Sequence, residues 1–398
     1  MELVKAKCDI FRNTWLLPLM LLSLVIPEML KRYDVVYNVY KGLGMGCLGI
    51  LFCNLLWHRP RTRLFGWIAL FYGTIVGITL VRGGSLWTFL ARNYDSVAVC
   101  LLFAVVLENE PKLILRASRI LELYVYINLL SMVLFPDGVY NLTWEPHWFL
   151  GHKNSIVRIV LPIMCMAMVR SLCEKSKIDG KTWFLVVCVC LSIWRTGSAT
   201  SLIGWVTFCC CLLLSMCLGK RCLSWMTLWN GFLATSVGAV MIIVFQVQKY
   251  FAFFIVDILG KDITINNRTT IWNGIMEFVF KKPILGYGYL SFDQYVEIFD
   301  HPSFTHPHNF LLYLMMTGGL LLLLSFMVGV AIASKSIKEN SQALCNRVIL
   351  FAWYAFFLMG LVESLNSSAL IYPMLLMGMK ADVWVALSEK QEQVMEWK

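Results

Sequence analysis

Apolar runs of roughly 17–25 residues recur from one end of the chain to the other, the length a helix needs to cross the hydrocarbon core of a bilayer. Backbone N–H and C=O groups in lipid must be satisfied within the segment, so runs this long and this apolar are helices. The alternation of a barrel strand is absent. The chain has 398 residues, 59% hydrophobic and only 15% charged, too little charge to keep a soluble domain of that size dispersed. The reading is therefore an all-α integral membrane protein, one polytopic domain over residues 1–398 with about 12 transmembrane helices. Spans are expected near 14–30, 42–57, 64–81, 93–107, 120–135, 155–170, 182–194, 199–218, 227–247, 308–332, 348–363 and 368–387. Arg92 and Asp95 interrupt the fourth.

A net charge of +10 would suggest nucleic acid as the partner of a soluble protein. Here the positive-inside rule accounts for it, and no nucleic acid is expected. With the N-terminus inside, the inner segments hold 20 Lys and Arg and the far longer outer sequence holds 13, with Lys380 in the last span. Both termini are expected to be cytoplasmic. The 14 cysteines have no zinc-like spacing and read as small apolar packing groups. The first apolar run ends at Pro27-Glu28 without a small-residue cleavage site, so it reads as a span that stays.

One connection is long. Residues 248–307 form an outer loop with an apolar patch, Phe251 to Leu259, suited to the membrane interface. An amphipathic stretch follows, with Ile271, Trp272, Ile275, Met276, Phe278 and Val279 at helical spacing. Pro283 ends it, and Gly286-Tyr287-Gly288 turns the chain.

Four polar clusters fall on the outer side, each expected at the start of a helix. They are Gly151-His152-Lys153-Asn154-Ser155, Arg195-Thr196-Gly197-Ser198-Ala199-Thr200-Ser201, Asn266-Asn267-Arg268-Thr269-Thr270 and His306-Pro307-His308-Asn309. Free N–H groups and the helix dipole favour an anion there, and Arg adds a planar fork that matches phosphate. Arg195 and Arg268 then form a pyrophosphate cradle; the alternative is that both snorkel to lipid head groups. A helix start disfavours an imidazolium, which keeps His308 neutral and able to accept a proton. His306 competes for that role, and a capping role is the plain alternative for either ring. A metal site from His301, His306 and His308 has few acidic ligands near it. Asp293, Glu297 and Asp300 are alternative acids or bases, or a solvated face. Trp144, Trp148, Trp183 and Trp272 fit an aromatic belt or stack on sugar.

Arg268-Thr-Thr-Ile-Trp, Pro283-Ile-Leu-Gly-Tyr-Gly and His306-Pro-His-Asn-Phe-Leu-Leu-Tyr before Gly318-Gly319 resemble the O-antigen polymerase and ligase superfamily of bacterial envelopes. Phe149-Leu-Gly-His-Lys-Asn-Ser and Arg195-Thr-Gly-Ser also fit, so the resemblance covers roughly residues 145–330. It implies a metal-independent GT-C-type glycosyltransferase without cofactor, acting on undecaprenyl-pyrophosphate-linked glycan donor and acceptor at the outer face of the cytoplasmic membrane. Membrane lipids and a chain-length regulator are its implied partners. The family pattern maps onto Arg195, Arg268 and His308 as catalytic residues. His306, Asn309, His152, Lys153, Asn154 and Tyr287 are the substrate-binding candidates. His-Lys-Asn-Ser favours a Wzy-type polymerase of capsular or exopolysaccharide over a ligase that moves polymer onto lipid A-core. A flippase is the reading from another class, but its charge would lie within the spans and its halves would repeat.

Overall fold

The computed structural model describes residues 15–58, 62–142, 145–217, 224–251, 253, 268–301, 304–365 and 368–396. Each expected span falls on a helix. In chain order these are α1 (Leu16–Leu24), α2 (Asp34–His58), α3 (Arg63–Val81), α4 (Leu86–Asn109), α5 (Pro111–Ala117), α6 (Arg119–Leu134), α7 (Lys153–Lys175) and α8 (Gly180–Arg195). Then come α9 (Ala199–Cys217), α10 (Leu228–Ile243), α11 (Arg268–Lys281), α12 (Phe292–Phe299), α13 (Phe310–Glu339), α14 (Leu344–Met359), α15 (Ile371–Met379) and α16 (Ala381–Glu396). Among the described residues, 7 helical segments are long and apolar enough to cross a membrane, the α5–α6 pair counting as one.

Two expected spans are divided between separate helical elements, and a third, α13, is broken at Gly319. The first, near 14–30, has a helix of only nine residues, because the chain turns extended before Pro27 and then forms a 3-10 helix over Glu28–Arg32. The last, near 368–387, breaks at Lys380 into α15 and α16. The chain is also not purely helical. Between α6 and α7, strands β1 (Tyr140–Leu142), β2 (Glu145–Trp148) and β3 (Gly151–His152) form an antiparallel sheet, with His147 opposite both Tyr140 and His152. Strands of two to four residues leave no periodicity to read.

α7 forms the axis of the bundle. Val160 to Val169 are buried without interruption, and the helix packs against α6, α8, α14 and α16. α7, α9, α13 and α15 start at one end of the bundle, the end at which α14 finishes. Side-chain bonds tie these ends together: Asn309 Nδ2 donates to Leu361 O at 2.8 Å, and Ser368 Oγ to Arg158 O at 2.8 Å. This is the end that carries the polar clusters.

α13 is broken, and the outer loop fills the break. Gly319 has φ 58° and ψ −153° inside it. The Pro283–Gly288 segment lies against this interruption: Tyr287 N donates to Met316 O at 2.8 Å, Gly288 N to Thr317 O at 2.9 Å, and Leu320 N to Pro283 O at 2.8 Å. Backbone groups freed by a helix break inside a bundle need such partners. A Cβ on Gly319 would lie 2.5 Å from the Ile284 carbonyl, and one on Gly286 2.6 Å from Met316 O. The Pro-Ile-Leu-Gly-Tyr-Gly and Gly-Gly motifs are thus two halves of one junction. Tyr287 serves that junction, with its hydroxyl donating to Phe278 O at 3.1 Å.

Candidate active site

The expected amphipathic loop helix is α11, which buries Ile271, Trp272, Ile275 and Val279. The patch from Phe251 to Leu259, together with Asn266, Asn267 and Trp144, falls wholly or largely outside the described residues. Trp272 is 0% exposed and so stacks on no sugar; its Nε1 donates to Pro307 O at 3.1 Å and holds the peptide between the two histidines. His308 follows in a left-handed conformation, φ 48°, uncommon outside glycine. Strain of this kind persists where the surroundings over-determine it, and is concentrated at functional sites. Asn309 supplies the other clamp as the N-cap of α13, accepting Leu312 N at 3.0 Å. It is 0% exposed, and both ends of its amide are engaged by backbone partners, which fixes the chain directly after His308.

These elements surround a cavity of about 740 Å³ at the polar end of the bundle. Arg158, Arg268, Lys153 and Lys31 face it, as do Glu28, Glu145 and Glu363, with His152, His306 and His308 among them. Arg268 and Glu363 pair at 2.5 Å, and both are over nine-tenths buried. Glu363 also accepts Asn154 Nδ2 at 2.8 Å, and Asn154 Oδ1 accepts Ser198 Oγ at 2.6 Å. Arg158 donates to Ser364 O at 3.0 Å and to Ser155 Oγ at 3.2 Å. Lys153 Nζ donates to Glu145 Oε1 at 2.7 Å, and His152 caps α7 by accepting Asn154 N at 3.2 Å. All four polar clusters therefore meet.

Arg195 does not join them. It ends α8 instead of starting α9, where its charge suits the negative end of a helix dipole. It is exposed, and its guanidinium reaches Pro136 O at 3.5 Å. Ser198, one turn on, is the member of that cluster that reaches the site. The second guanidinium in the cavity is Arg158, inside the expected sixth span, where a charge is itself a functional signal. Glu363, at the end of the eleventh span, carried the same signal. Tyr287 lies outside the cavity.

The His306 and His308 rings lie 3.7 Å apart, centroid to centroid. His306 Nδ1 meets Thr305 Oγ1 at 3.0 Å, whereas His308 Nδ1 is buried without a partner among the described residues. Burial lowers both histidines to about 3. For His308 the guanidiniums of Arg268 and Arg158 add to the effect; for His306 the His308 ring comes next, and Glu363 opposes. Both rings are neutral at physiological pH. His152 is also lowered, first by burial and then by Arg158.

His306, His308 and Glu363 bring three metal-type ligand atoms within 4.8 Å of one another, whereas the expected trio contained His301, which is exposed. The donor set suits a resident divalent cation poorly. Glu363 is already engaged by Arg268 and Asn154, and Arg158 faces the same space. Fixed cations beside neutral imidazoles suit an anionic ligand with a proton to be removed nearby.

Residues 184–327 match the family model described as O-antigen ligase, a segment from α8 into α13 that includes Arg268, His306 and His308. Among curated proteins none matches the sequence. The resemblance read from the motifs is borne out. With seven helical segments among the described residues long and apolar enough to cross a membrane, the chain is a multi-pass membrane protein with a region similar to O-antigen ligases, a glycosyltransferase-like enzyme family.

Proposed function

We propose that this multi-pass protein of the O-antigen polymerase and ligase superfamily transfers a glycan from a polyprenyl-pyrophosphate donor to a hydroxyl of an acceptor glycan, as a repeat-unit polymerase. The observation that carries the reading is the meeting of Arg158, Arg268 and a neutral His308 on one cavity. The guanidiniums hold the pyrophosphate. The acceptor oxygen attacks the anomeric carbon, and its proton passes to His308. The bond from that carbon to the pyrophosphate oxygen breaks, and the electron pair leaves with the lipid pyrophosphate, where the same guanidiniums stabilise it. The leaving group is good enough to need no separate acid, and the fixed cations make a metal unnecessary. The polar end of the bundle is then the outer face, as the Lys and Arg distribution requires.

The matched description favours a second reading, in which finished polymer moves onto lipid A-core. One assay tests both. Purified protein in detergent receives the lipid-linked repeat unit isolated from cells lacking this chain, with or without lipid A-core. Longer lipid-linked glycans and released lipid pyrophosphate are expected from the unit alone. Product only on lipid A-core would make the protein a ligase. No transfer to either acceptor would return it to the transport class, which needs a sealed membrane.

A further inference from the structure

Arg92 and Asp95 interrupt the apolar run of α4, and nothing in the donor cavity uses them. A charge within a spanning helix faces the bundle interior or water and marks a functional path. Both residues line a second cavity of about 230 Å³, which abuts the first. The two share Lys31, Phe292 and His306. The lining differs in kind. Three aromatic residues, Tyr289, Tyr295 and Tyr313, line it together with Phe292, as do the polar Asn93 and the acidic Asp95. The Asp95 carboxylate accepts the Ser96 N–H at 2.7 Å and forms no ion pair among the described residues.

A pyranose presents the matching surface, with C–H groups on its faces and hydroxyls around its rim. Aromatic rings cover the first, and a carboxylate accepts hydrogen bonds from the second. The volume suits one sugar ring, while the larger cavity takes the pyrophosphate and the ring attached to it. His306 stands at the junction, its ring 5.8 Å from Phe292 on one side and 3.7 Å from His308 on the other. A sugar in the smaller cavity would therefore lie next to the two histidines with its rim toward the donor.

We propose that the 230 Å³ cavity is the acceptor subsite, which binds the terminal sugar of the acceptor glycan, with Asp95 and Phe292 as its specificity-determining residues. This rests on the proposed transfer function. In a polymerase, donor and acceptor are the same molecule, so the test separates them. The lipid-linked repeat unit serves as donor. The same unit, released from its pyrophosphate and remade as an alkyl glycoside, serves as acceptor only, since it has no leaving group. Asp95→Asn should raise the KM for the alkyl glycoside about tenfold to a hundredfold, as expected for a lost bond to a charged group, and leave the donor KM unchanged. Phe292→Ala is the second probe. Its ring is 59% exposed, so its removal leaves no buried void, and it should raise the same constant to a smaller degree. An unchanged acceptor KM in both variants, with transfer intact in the unmodified protein, overturns the subsite alone. A rise in the donor KM equal to that for the acceptor also overturns it. Absence of transfer by the unmodified protein overturns the function and the subsite together.

Discussion

Both ends of the bundle carry charge between helices, and they use it differently. At the far end three cations meet a carboxylate on a neighbouring helix: Arg170 of α7 pairs with Glu122 of α6, Arg119 of α6 with Glu174 of α7 at 2.7 Å, and Lys380 with Glu108 of α4 at 2.8 Å. At the polar end four cations and three carboxylates surround an open volume, and a buried ring nitrogen has no partner among the described residues. Pairs that join helix to helix fix packing, whereas cations, carboxylates and neutral imidazoles gathered on one void are arranged for something that enters it.

The largest effect that could break this comparison belongs to His308. His308→Ala should lower transfer about 10²–10⁴-fold, the usual contribution of a positioned base, while lipid pyrophosphate still binds and inhibits. His306→Ala should keep measurable transfer and lose acceptor affinity, because His306 borders both cavities. Rates from purified variants decide the matter. The reverse ranking would move the base to His306.

How much of this was legible follows from what each residue answers to. Helices follow from apolar length, which is local, so all twelve expected spans fall on helix. That the four clusters share a site also followed, because alternating spans bring their starts to one side. Which side chains turn inward depends on how each helix is rotated against neighbours far away in sequence. Glu363 meets Asn154 across 209 positions, a relation no local pattern encodes. The seventh expected span, α8, extends one residue past its expected end, to Arg195, and so turns a supposed cradle residue into a helix terminus. Asn309 looked like a ligand because Asn both binds and caps, and only the fold shows its amide bonded to Leu312 N and Leu361 O. The charges at Arg92 and Asp95 were visible in the sequence, but they read as breaks in a span and not as the lining of a cavity, and Arg158 was not singled out at all.

Next in size is the contrast between the ends themselves. Arg268→Lys keeps a cation beside Glu363 but loses the fork, so transfer should fall by up to about 10²-fold, less than the loss for Arg268→Ala. Glu122→Gln at the far end leaves Arg170 unpaired and should lower stability by about 3 kcal/mol, seen as a lower melting temperature in detergent. The rate per folded molecule should stay the same. Arg195→Ala should leave both the rate and the melting temperature close to those of the unmodified protein, since its side chain is exposed and outside the cavity. A large loss of transfer in Glu122→Gln at full folding would show that the far end takes part in the chemistry.

The smallest expected effect is that of pH on the free enzyme, and its absence is informative. An ordinary imidazole loses its base form as pH falls through about 6.5. His308 is held at about 3 by burial and then by Arg268, Arg158 and His152, so it stays neutral far below that point. The profile of kcat/KM, which reports the free enzyme, should therefore be flat from pH 8 to about pH 5. Donor binding changes the balance, because a pyrophosphate neutralises the two guanidiniums that repel the imidazolium. The His308 pKa should rise in the complex, making the ring a stronger base once the donor is in place. An acid limb should then appear in kcat at higher pH than in kcat/KM. Stability follows the depressed values of both rings: the contribution is present in full above the unfolded pKa near 6.5 and is lost as pH falls through the folded value near 3. Melting temperature should thus decline on acidification before the rate per folded molecule does. An acid limb near 6.5 in kcat/KM would mean a solvent-like imidazole, and would place the base outside the buried pair.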